Sequence, residues 1–333
     1  MGYRAHKIQV EEKQKHLKRV LFTLLALLVL ALAIFSAIVP PETWKYRVAL
    51  PKIEKREEGE LRIHFIDVGQ GDCTLLELPD GKVMLIDSGD NTQTTKKQIL
   101  RYLNALDIEQ IDYLVLTHAD KDHCGGVEEI VKWKKVLNAY LPSSSKTTDT
   151  QYAEAYAALA DTDCELIEAS RLATFGGEEK AYSLAFLYPY ANSETDENNS
   201  NDMSSVLWLD YLGVNALFMG DASQDVETML IRDDKLEFLD KMGVDLSSTE
   251  ILKVGHHGSG GSSSSDFLEY LNLKTAVVSC GKDNSYGHPS DRVIENLKMV
   301  GASVYRTDKS GHIILTISED KSIEVTTVEG KNK

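Results

Sequence analysis

The sequence is poor in cysteine, and its four cysteines form no CxxC pair. This spacing excludes a zinc ribbon and supports no disulfide framework, so we expect free and mostly buried thiols. A disulfide in a domain outside the cytoplasm is the alternative, without a preferred pairing. The cysteines are Cys73, Cys124, Cys164 and Cys280.

Positive charge is also in short supply. The chain has 36 lysines and arginines against 52 aspartates and glutamates, which gives a net charge of −16. Residues 1–39 hold six basic and two acidic residues, so the remainder carries −20. A domain this acidic is not suited to hold nucleic acid by general phosphate neutralisation, which needs a basic surface. A polyanionic substrate would have to be attracted locally, by bound metal cations.

Charge is missing altogether from Val20 to Val39, "VLFTLLALLVLALAIFSAIV". Twenty apolar residues span about 30 Å as a helix, the thickness of a bilayer core, whereas signal peptides have apolar regions of about 7–15 residues. The segment therefore predicts a single membrane anchor. Basic residues before it and Glu42 after it place the N-terminus in the cytoplasm and the rest of the chain outside the cell. Cleavage near "FSA", which would give a secreted form, is the alternative.

The order of segments predicts the organisation of the chain. We expect a basic cytoplasmic tail (1–19), a transmembrane anchor (20–39), a linker (40–60) and a folded domain (61–330). The folded part begins with hairpins and continues with alternating strands and helices. The second half of the chain then repeats these kinds of element. This order predicts an α/β fold of two sheets, with helices on the outside.

Polar clusters follow four of the apolar strands. They are Asp87 in "LIDSG", His118–His123 in "LTHADKDHCGG", Asp221 in "FMGD" and His256–His257 in "LKVGHHGS". Strand ends of open α/β folds face a common crevice, so we expect these clusters to converge. Imidazole and carboxylate without thiolate suit Zn²⁺, Mn²⁺ or Fe better than they suit a closed structural zinc site. The clusters therefore predict a metal centre.

The motif "HADKDH" has enough ligand types for two divalent metal ions, Zn²⁺ or Mn²⁺. His118 and Asp120 can hold one ion. The adjacent Asp122 and His123 can hold the other, and Asp221 would bridge the two ions. Of the later histidine pair, we expect His256 to bind metal and His257 to face the substrate or the structure. The predicted metal ligands are His118, Asp120, Asp122, His123, Asp221 and His256.

The motif "HADKDH", followed by "GG", resembles the HxHxDH motif of the metallo-β-lactamase fold, with Asp120 at its second histidine. With "HFIDVGQGDCTLLELPDGKVMLIDSGD", "FMGDAS", "LKVGHHGS" and "NSYGHPS", it is similar to the extracellular hydrolase domain of the ComEC competence proteins, over about residues 60–320. In that branch the HxDxDH form is the rule. The resemblance implies an αββα sandwich and a metal-dependent hydrolase.

The chain departs from this family in two respects. Many enzymes of the fold have a further metal-binding histidine before the Asp of "GD", but this sequence has no histidine between His123 and His256. We therefore expect the first metal site to be weak, completed by water, or selective for Mn²⁺ or Mg²⁺. ComEC proteins also carry a many-helix membrane channel, and this chain has one membrane segment, so DNA transport does not follow.

The resemblance also assigns residues around the metals. It implies that Asp87 holds a ligand in place without touching metal. Asn201 and Ser204, in "NDMSSV", would orient substrate or water, with a plain strand-entry turn as the alternative. His288, in "YGHPS", would face the substrate, with a structural core histidine as the alternative. The polar residues of "DVGQGD" either line the site or only shape the hairpin.

The predicted function is that of a membrane-anchored, metal-dependent hydrolase, and first of all a phosphodiesterase in which a hydroxide bridging two cations attacks phosphorus. Asp122 would orient the water, and His288 or His257 would protonate the leaving oxygen. A nucleic acid, a nucleotide or a phosphodiester cell-envelope polymer would suit as substrate, held through the metals. One alternative is a lactonase or β-lactamase-like amidase, because the same hydroxide attacks carbonyls. Another is a non-catalytic, membrane-tethered binding module.

Overall fold

The computed structural model describes residues 2–38, 44–142, 150–170, 174–176, 182–189 and 200–329. The chain divides into two units, residues 1–48 and residues 49–333. The predicted domain boundaries at residues 39–40 and 330 lie outside the described residues, and the domain limits stay predictions.

The first unit contains one long helix, α1 (Gly2–Ile38). Its stretch Glu12–Ile38 is long and apolar enough to cross a membrane, by length and composition, and none of it is buried. At about 1.5 Å per residue these 27 residues extend about 40 Å, more than the thickness of a bilayer core. The helix is therefore a candidate membrane span.

The second unit contains two mixed β-sheets. Its strands are β1 (Leu61–Phe65), β2 (Thr74–Glu77), β3 (Val83–Ile86), β4 (Gln110–Val115), β5 (Lys135–Leu141), β6 (Glu165–Glu168), β7 (Thr174–Gly176), β8 (Tyr182–Tyr188), β9 (Val206–Tyr211), β10 (Val214–Phe218), β11 (Thr249–Lys253), β12 (Thr275–Val278), β13 (Ser303–Arg306), β14 (His312–Ile317) and β15 (Ile323–Val328). The first sheet has the order β15-β14-β1-β2-β3-β4-β5-β6 and the second β13-β12-β11-β10-β9-β8-β7. Strands β3 to β6 run parallel to one another, as do β10 to β13, and the other neighbours are antiparallel.

Helices cover the outer face of each sheet. The helices of the second unit are α2 (Gln93–Ala105), α3 (Lys121–Cys124), α4 (Val127–Trp133), α5 (Thr150–Ala160), α6 (Gln224–Lys235), α7 (Ser265–Tyr270), α8 (Asp291–Met299) and α9 (Thr307–Ser310). Residues of α2, α4 and α5 pack on the first sheet, and residues of α6, α7 and α8 pack on the second. Ser264 and Ser290 start α7 and α8, because each hydroxyl accepts a hydrogen bond from a first-turn N–H.

The inner faces of the two sheets pack against each other. Ile63 and Phe65 of the first sheet and Phe186 and Phe218 of the second are buried in this central core. The predicted αββα sandwich is therefore confirmed. Because β3, β4, β10 and β11 belong to the parallel parts of the sheets, their carboxyl ends carry the predicted polar clusters to one edge of the sandwich.

Candidate metal centre

The loop after β4 carries four of the predicted ligands. His118 follows the strand, Asp120 stands at the start of α3, and that helix holds Asp122 and His123. Both histidine side chains are fully buried, whereas the Asp120 side chain is 41% exposed. Of the two glycines that follow, the second is required sterically, because a Cβ at Gly126 would overlap the carbonyl oxygen of Ser88.

Asp87, directly after β3, holds His123 in place. Its Oδ2 lies 2.7 Å from His123 Nδ1, and its carboxylate also accepts hydrogen bonds of 2.8 Å from the N–H and the hydroxyl of Thr117. Thr117 was not singled out from the sequence. A carboxylate with this set of partners fixes the orientation of the ring and leaves His123 Nε2 facing the other candidate ligands.

The second sheet contributes Asp221, which follows β10 and is buried. Its Oδ1 lies 3.3 Å from His123 Nε2. Its Oδ2 lies 3.9 Å from His118 Nε2 and 3.6 Å from His257 Nε2. This single carboxylate therefore lies between histidines that come from both sheets, as a bridging residue would.

The two adjacent histidines after β11 occupy different environments. Both have left-handed backbones, with φ of 47° for His256 and 52° for His257, a conformation that costs non-glycine residues of order 1–3 kcal/mol. His257 is buried, and its Nε2 lies 3.4 Å from Asp122 Oδ2. His256 is partly exposed, with Nε2 3.7 Å from Asp221 Oδ2. We expected His256 to be the ligand, but the structure brings His257 into the closest groups of candidate ligands.

Four such groups each bring three candidate ligand atoms within 4.8 Å of one another among the described residues. Neighbouring groups share members, so together they form one cluster between the sheets. The groups are His118–His123–Asp221, Asp122–His123–His257, Asp72–Asp87–His123 and Asp72–Asp221–His257.

The polar atoms of this cluster fit a metal ion. Several are buried without a hydrogen-bond partner among the described residues, and such atoms destabilise a protein unless something else satisfies them. A tetrahedral ion with bonds of about 2.1 Å separates its ligand atoms by about 3.4 Å. The observed separations are 3.3–3.9 Å. The unpaired atoms are His118 Nε2, His123 Nε2, His257 Nε2, Asp221 Oδ1 and Asp72 Oδ1.

The clustered groups shift one another's pKa values. Burial raises the pKa of Asp221, but His257 and His123 outweigh burial and hold it well below its usual range. Burial lowers the pKa of His123, yet Asp221 and Asp87 raise it well above 6.5. The pKa of His257 is likewise raised, to about 10. Burial and the neighbouring His123 lower the pKa of His118. In the metal-free protein, two of the three histidines therefore carry protons that a metal must displace.

The segment "NDMSSV" lies beside the first ligand group. Ser204 Oγ is 3.3 Å from His118 Nδ1 and accepts a hydrogen bond of 3.0 Å from Asp221 N–H. The carbonyl oxygen of Asn201 accepts a hydrogen bond from Ser204 N–H, and its Oδ1 is buried without a partner among the described residues. Ser204 therefore contacts two candidate ligands, one from each sheet.

Asp120 occupies the position where the fold has a histidine. Its Oδ2 lies 3.8 Å from His118 Nε2, and its Oδ1 accepts a hydrogen bond of 2.6 Å from Ser200. Ser200 was missed in the sequence because a serine in a polar segment carries no distinctive signal. The hydrogen bond fixes an aspartate that is otherwise partly exposed.

The cluster opens into a cavity of about 320 Å³. His288 lines it and is held by Asn284, whose amide group donates to His288 O and accepts from His288 N–H. The His288 ring stacks on the exposed Tyr286, with centroids 5.8 Å apart. Its buried Nδ1 has no hydrogen-bond partner in the described part of the chain. The lining residues are Gln70, Asp120, Lys121, Asp122, Asp221, His256, His257, Tyr286 and His288.

The residues of "DVGQGD" divide between structure and site. Asp67 shapes the turn, since its N–H donates to His312 Nδ1 and its carboxylate accepts from Gly69 N–H. Asp72 is buried within the cluster, beside the buried Lys253. Lys253 was missed, although a lysine inside the apolar run "EILKVG" was a visible signal.

A sequence profile described as the Metallo-beta-lactamase superfamily matches residues 66–282. The chain belongs to this superfamily. The matched range includes every residue of the four ligand groups. The superfamily consists in general of metal-dependent hydrolases, which agrees with the donor set at the strand ends.

Curated relatives of this superfamily member include competence proteins. The chain is 32% identical to "ComE operon protein 3" of Bacillus subtilis, covering 77% of this chain and 33% of that protein. It is 30% identical to "Competence protein ComA" of Neisseria gonorrhoeae, covering 76% and 32%. The chain thus spans about a third of the length of these relatives. A solved structure of the metallo-beta-lactamase fold protein YhfI from Bacillus subtilis is similar with a TM-score of 0.49 and 12% identity, over 81% of this chain and 99% of that one.

Proposed function

We propose that the chain is a membrane-anchored, metal-dependent phosphodiesterase. The observation that carries the proposal is the cluster of buried imidazole nitrogens and carboxylate oxygens, drawn from both sheets, without hydrogen-bond partners among the described residues. Membership of the superfamily supports hydrolysis, and the polar cavity supports a charged substrate.

Two divalent ions suit the cluster. In this proposal the second histidine of "GHHG", and not the first, is a ligand. Mixed nitrogen and oxygen donors without thiolate are compatible with Zn²⁺ and with Mn²⁺. Asp120 would complete the first ion's surroundings in place of the missing histidine. One ion would be held by His118 and Asp120, and the other by Asp122, His123 and His257, with the Asp221 carboxylate serving both.

The chain's own groups account for proton transfer. When bound, the ions would supply a water that is acidic enough to attack at neutral pH and positive charge against the phosphate oxygens. Burial raises the pKa of Asp122, but His257 and His123 outweigh it, so Asp122 is ionised at neutral pH and could orient the attacking water by accepting a hydrogen bond from it. His288, which lines the same cavity as Asp122, would donate a proton to the leaving oxygen.

The charge distribution is compatible with a phosphodiester held through metals. The domain is strongly acidic, and Lys121 is the one lysine or arginine among the described cavity-lining residues. Bound cations would therefore supply most of the attraction for phosphate. The names of the relatives, "ComE operon protein 3" and "Competence protein ComA", make nucleic acid the first phosphodiester to test.

The proposed location follows from α1. Its apolar stretch would anchor the chain in the cell membrane, with the basic N-terminal residues in the cytoplasm and the hydrolase domain outside. Protease treatment of intact cells tests this orientation, because an external domain would be digested and a cytoplasmic one would be protected.

The decisive experiment is metal quantification on the detergent-purified chain, followed by an activity screen. Bis-p-nitrophenyl phosphate and oligonucleotides are compared with a lactone panel, each with added Mn²⁺ or Zn²⁺. We expect bound metal and phosphodiester hydrolysis that chelator abolishes. Asp122→Ala should lose this activity, whereas Asp163→Ala, which removes an exposed aspartate outside the cluster, should not.

Two results would contradict the proposal in different ways. Hydrolysis of lactones alone would make the chain a carbonyl hydrolase. Absence of bound metal, with no effect of chelator on any activity, would favour a binding module.

A further inference from the structure

A lysine is buried beneath the cluster. Lys253 ends β11 in the second sheet, and its Nζ lies 2.6 Å from Asp72 Oδ2 and donates to Val254 O. Asp72 lies in the loop that connects β1 and β2 of the first sheet. Among the Lys and Arg ion pairs of the described residues, this is the only one in which both side chains are less than 5% exposed. The pair therefore joins the two sheets next to the ligands.

Stability alone is a weak explanation for such a pair. Burying two charges costs solvation free energy that their attraction does not reliably recover, and an apolar pair of similar volume is often equally stable. Lysine is also among the residues that are least often fully buried. The position of this pair against the cluster suggests a role in arranging the ligands.

The free oxygen of Asp72 faces His257. Asp72 Oδ1 has no hydrogen-bond partner among the described residues and lies 3.4 Å from His257 Nδ1. The same Nδ1 is 3.0 Å from Ser279 O, so two acceptors lie on this side of the ring. The opposite nitrogen, Nε2, lies 3.4 Å from Asp122 Oδ2. One edge of the imidazole thus contacts acceptors, and the other faces the candidate metal position.

We propose that Asp72 and Lys253 are a positioning pair for His257. Lys253 holds the Asp72 carboxylate and balances its charge, and Asp72 keeps the Nδ1 side of the ring occupied, so that the Nε2 lone pair faces the second ion. The inference rests on the metal centre of the proposed function. An ammonium group 2.6 Å from Asp72 disfavours direct metal binding by that carboxylate, because the ion and the ammonium would repel each other.

Two double variants of the full chain test the pair without leaving one buried charge alone. Lys253→Met/Asp72→Asn removes both charges and keeps an acceptor oxygen near His257, whereas Lys253→Met/Asp72→Leu removes the acceptor as well. Both should fold, since paired replacement is often neutral for stability. Lys134→Met, which changes another buried lysine outside the four ligand groups, is the control.

The readouts are metal affinity by chelator competition, thermal unfolding and kcat. We expect one of the two binding steps to weaken about tenfold in the Asn variant and up to about a hundredfold in the Leu variant, with the other step unchanged. The kcat should fall in the same order, at an unfolding temperature close to that of the wild type.

Three results separate the possible failures. Wild-type affinity and kcat in both double variants would overturn the inference and leave the ion pair purely structural. Loss of the second ion at every metal concentration would also overturn it, because Asp72 would then be a ligand. A wild-type chain that binds no metal would instead reject the proposed function itself.

Discussion

The two histidine-bearing loops at the candidate metal centre are built in different ways. In the loop after β4, His123 lies 2.7 Å from Asp87, which follows the neighbouring strand of the same sheet. In the loop after β11, His257 lies 3.4 Å from Asp72, which comes from the opposite sheet and is paired with a buried lysine. One half of the centre is thus arranged within a sheet, and the other needs the two sheets to be packed together.

Asp221 is where the two halves meet. It follows β10 of the second sheet, yet its carboxylate lies within 3.9 Å of histidines from both sheets. We therefore expect the largest effects from changing this carboxylate, and smaller effects from residues that belong to one half only.

Asp221→Ala should abolish binding of both ions. The variant loses the shared carboxylate and leaves three histidines without their common counter-charge, so we expect kcat/KM to fall at least about 1,000-fold. Metal content and phosphodiester hydrolysis measure the effect. An Asp221→Ala protein that keeps one ion at full affinity would show that the two halves are independent.

His257→Ala and His256→Ala should differ although the residues are adjacent. His257 is buried against Asp122 and Asp221, whereas His256 is partly exposed. We expect kcat to fall about a hundredfold for His257→Ala and less than about fivefold for His256→Ala. Each variant serves as the control for the other, and a larger loss for His256→Ala would restore the assignment expected from the sequence.

The difference between the two halves also explains what the sequence could predict of the site. Asp87, the "HADKDH" motif and Asp221 each follow a recognisable apolar strand, and the structure brings them together at one edge of the sandwich. The pairing of Asp72 with Lys253 depends on how two sheets pack, which no local pattern encodes. Which of His256 and His257 is directed towards the other ligands depends on the left-handed backbone of both residues. Two identical neighbours in the sequence do not indicate which of them is buried.

The fold shows the same limit. The αββα architecture and the superfamily were predicted and are confirmed, because hairpins, strand-end motifs and helix caps are local features. The run "GGVEEIVKWKKV" predicts a helix after the glycines, and this prediction is wrong at its end, since α4 stops at Trp133 and β5 begins at Lys135. Lysine and valine are compatible with a helix locally, but this segment pairs in parallel with β4, a contact between residues distant in sequence.

The pH dependence of metal binding should reveal the half built around His257. Burial lowers the pKa of His257, but Asp221 and Asp72 raise it to about 10, so below pH 10 a metal must displace a proton. We expect apparent Mn²⁺ affinity to rise with pH between 6 and 8.5, by up to about tenfold per pH unit for this proton.

The metal-free protein should show the opposite trend in stability. A raised folded-state pKa stabilises the protein fully below the unfolded value of about 6.5, and this stabilisation is lost as pH rises towards 10. Denaturant unfolding of the chelator-treated chain at a series of pH values measures the loss. Metal affinity that does not change with pH would mean that His257 carries no proton in the absence of metal.

The most selective predicted effect concerns the loop around His288, which adjoins the second half of the centre. If His288 protonates the leaving oxygen, His288→Ala should lower kcat about tenfold or more for a dinucleotide, whose alkoxide leaving group needs a proton. The same variant should hydrolyse bis-p-nitrophenyl phosphate at nearly the wild-type rate, because p-nitrophenolate leaves without protonation. Burial and the neighbouring His256 and His257 lower the pKa of His288, so the wild-type advantage on the dinucleotide should grow as pH falls. Equal losses on both substrates would assign His288 to substrate binding instead of proton transfer.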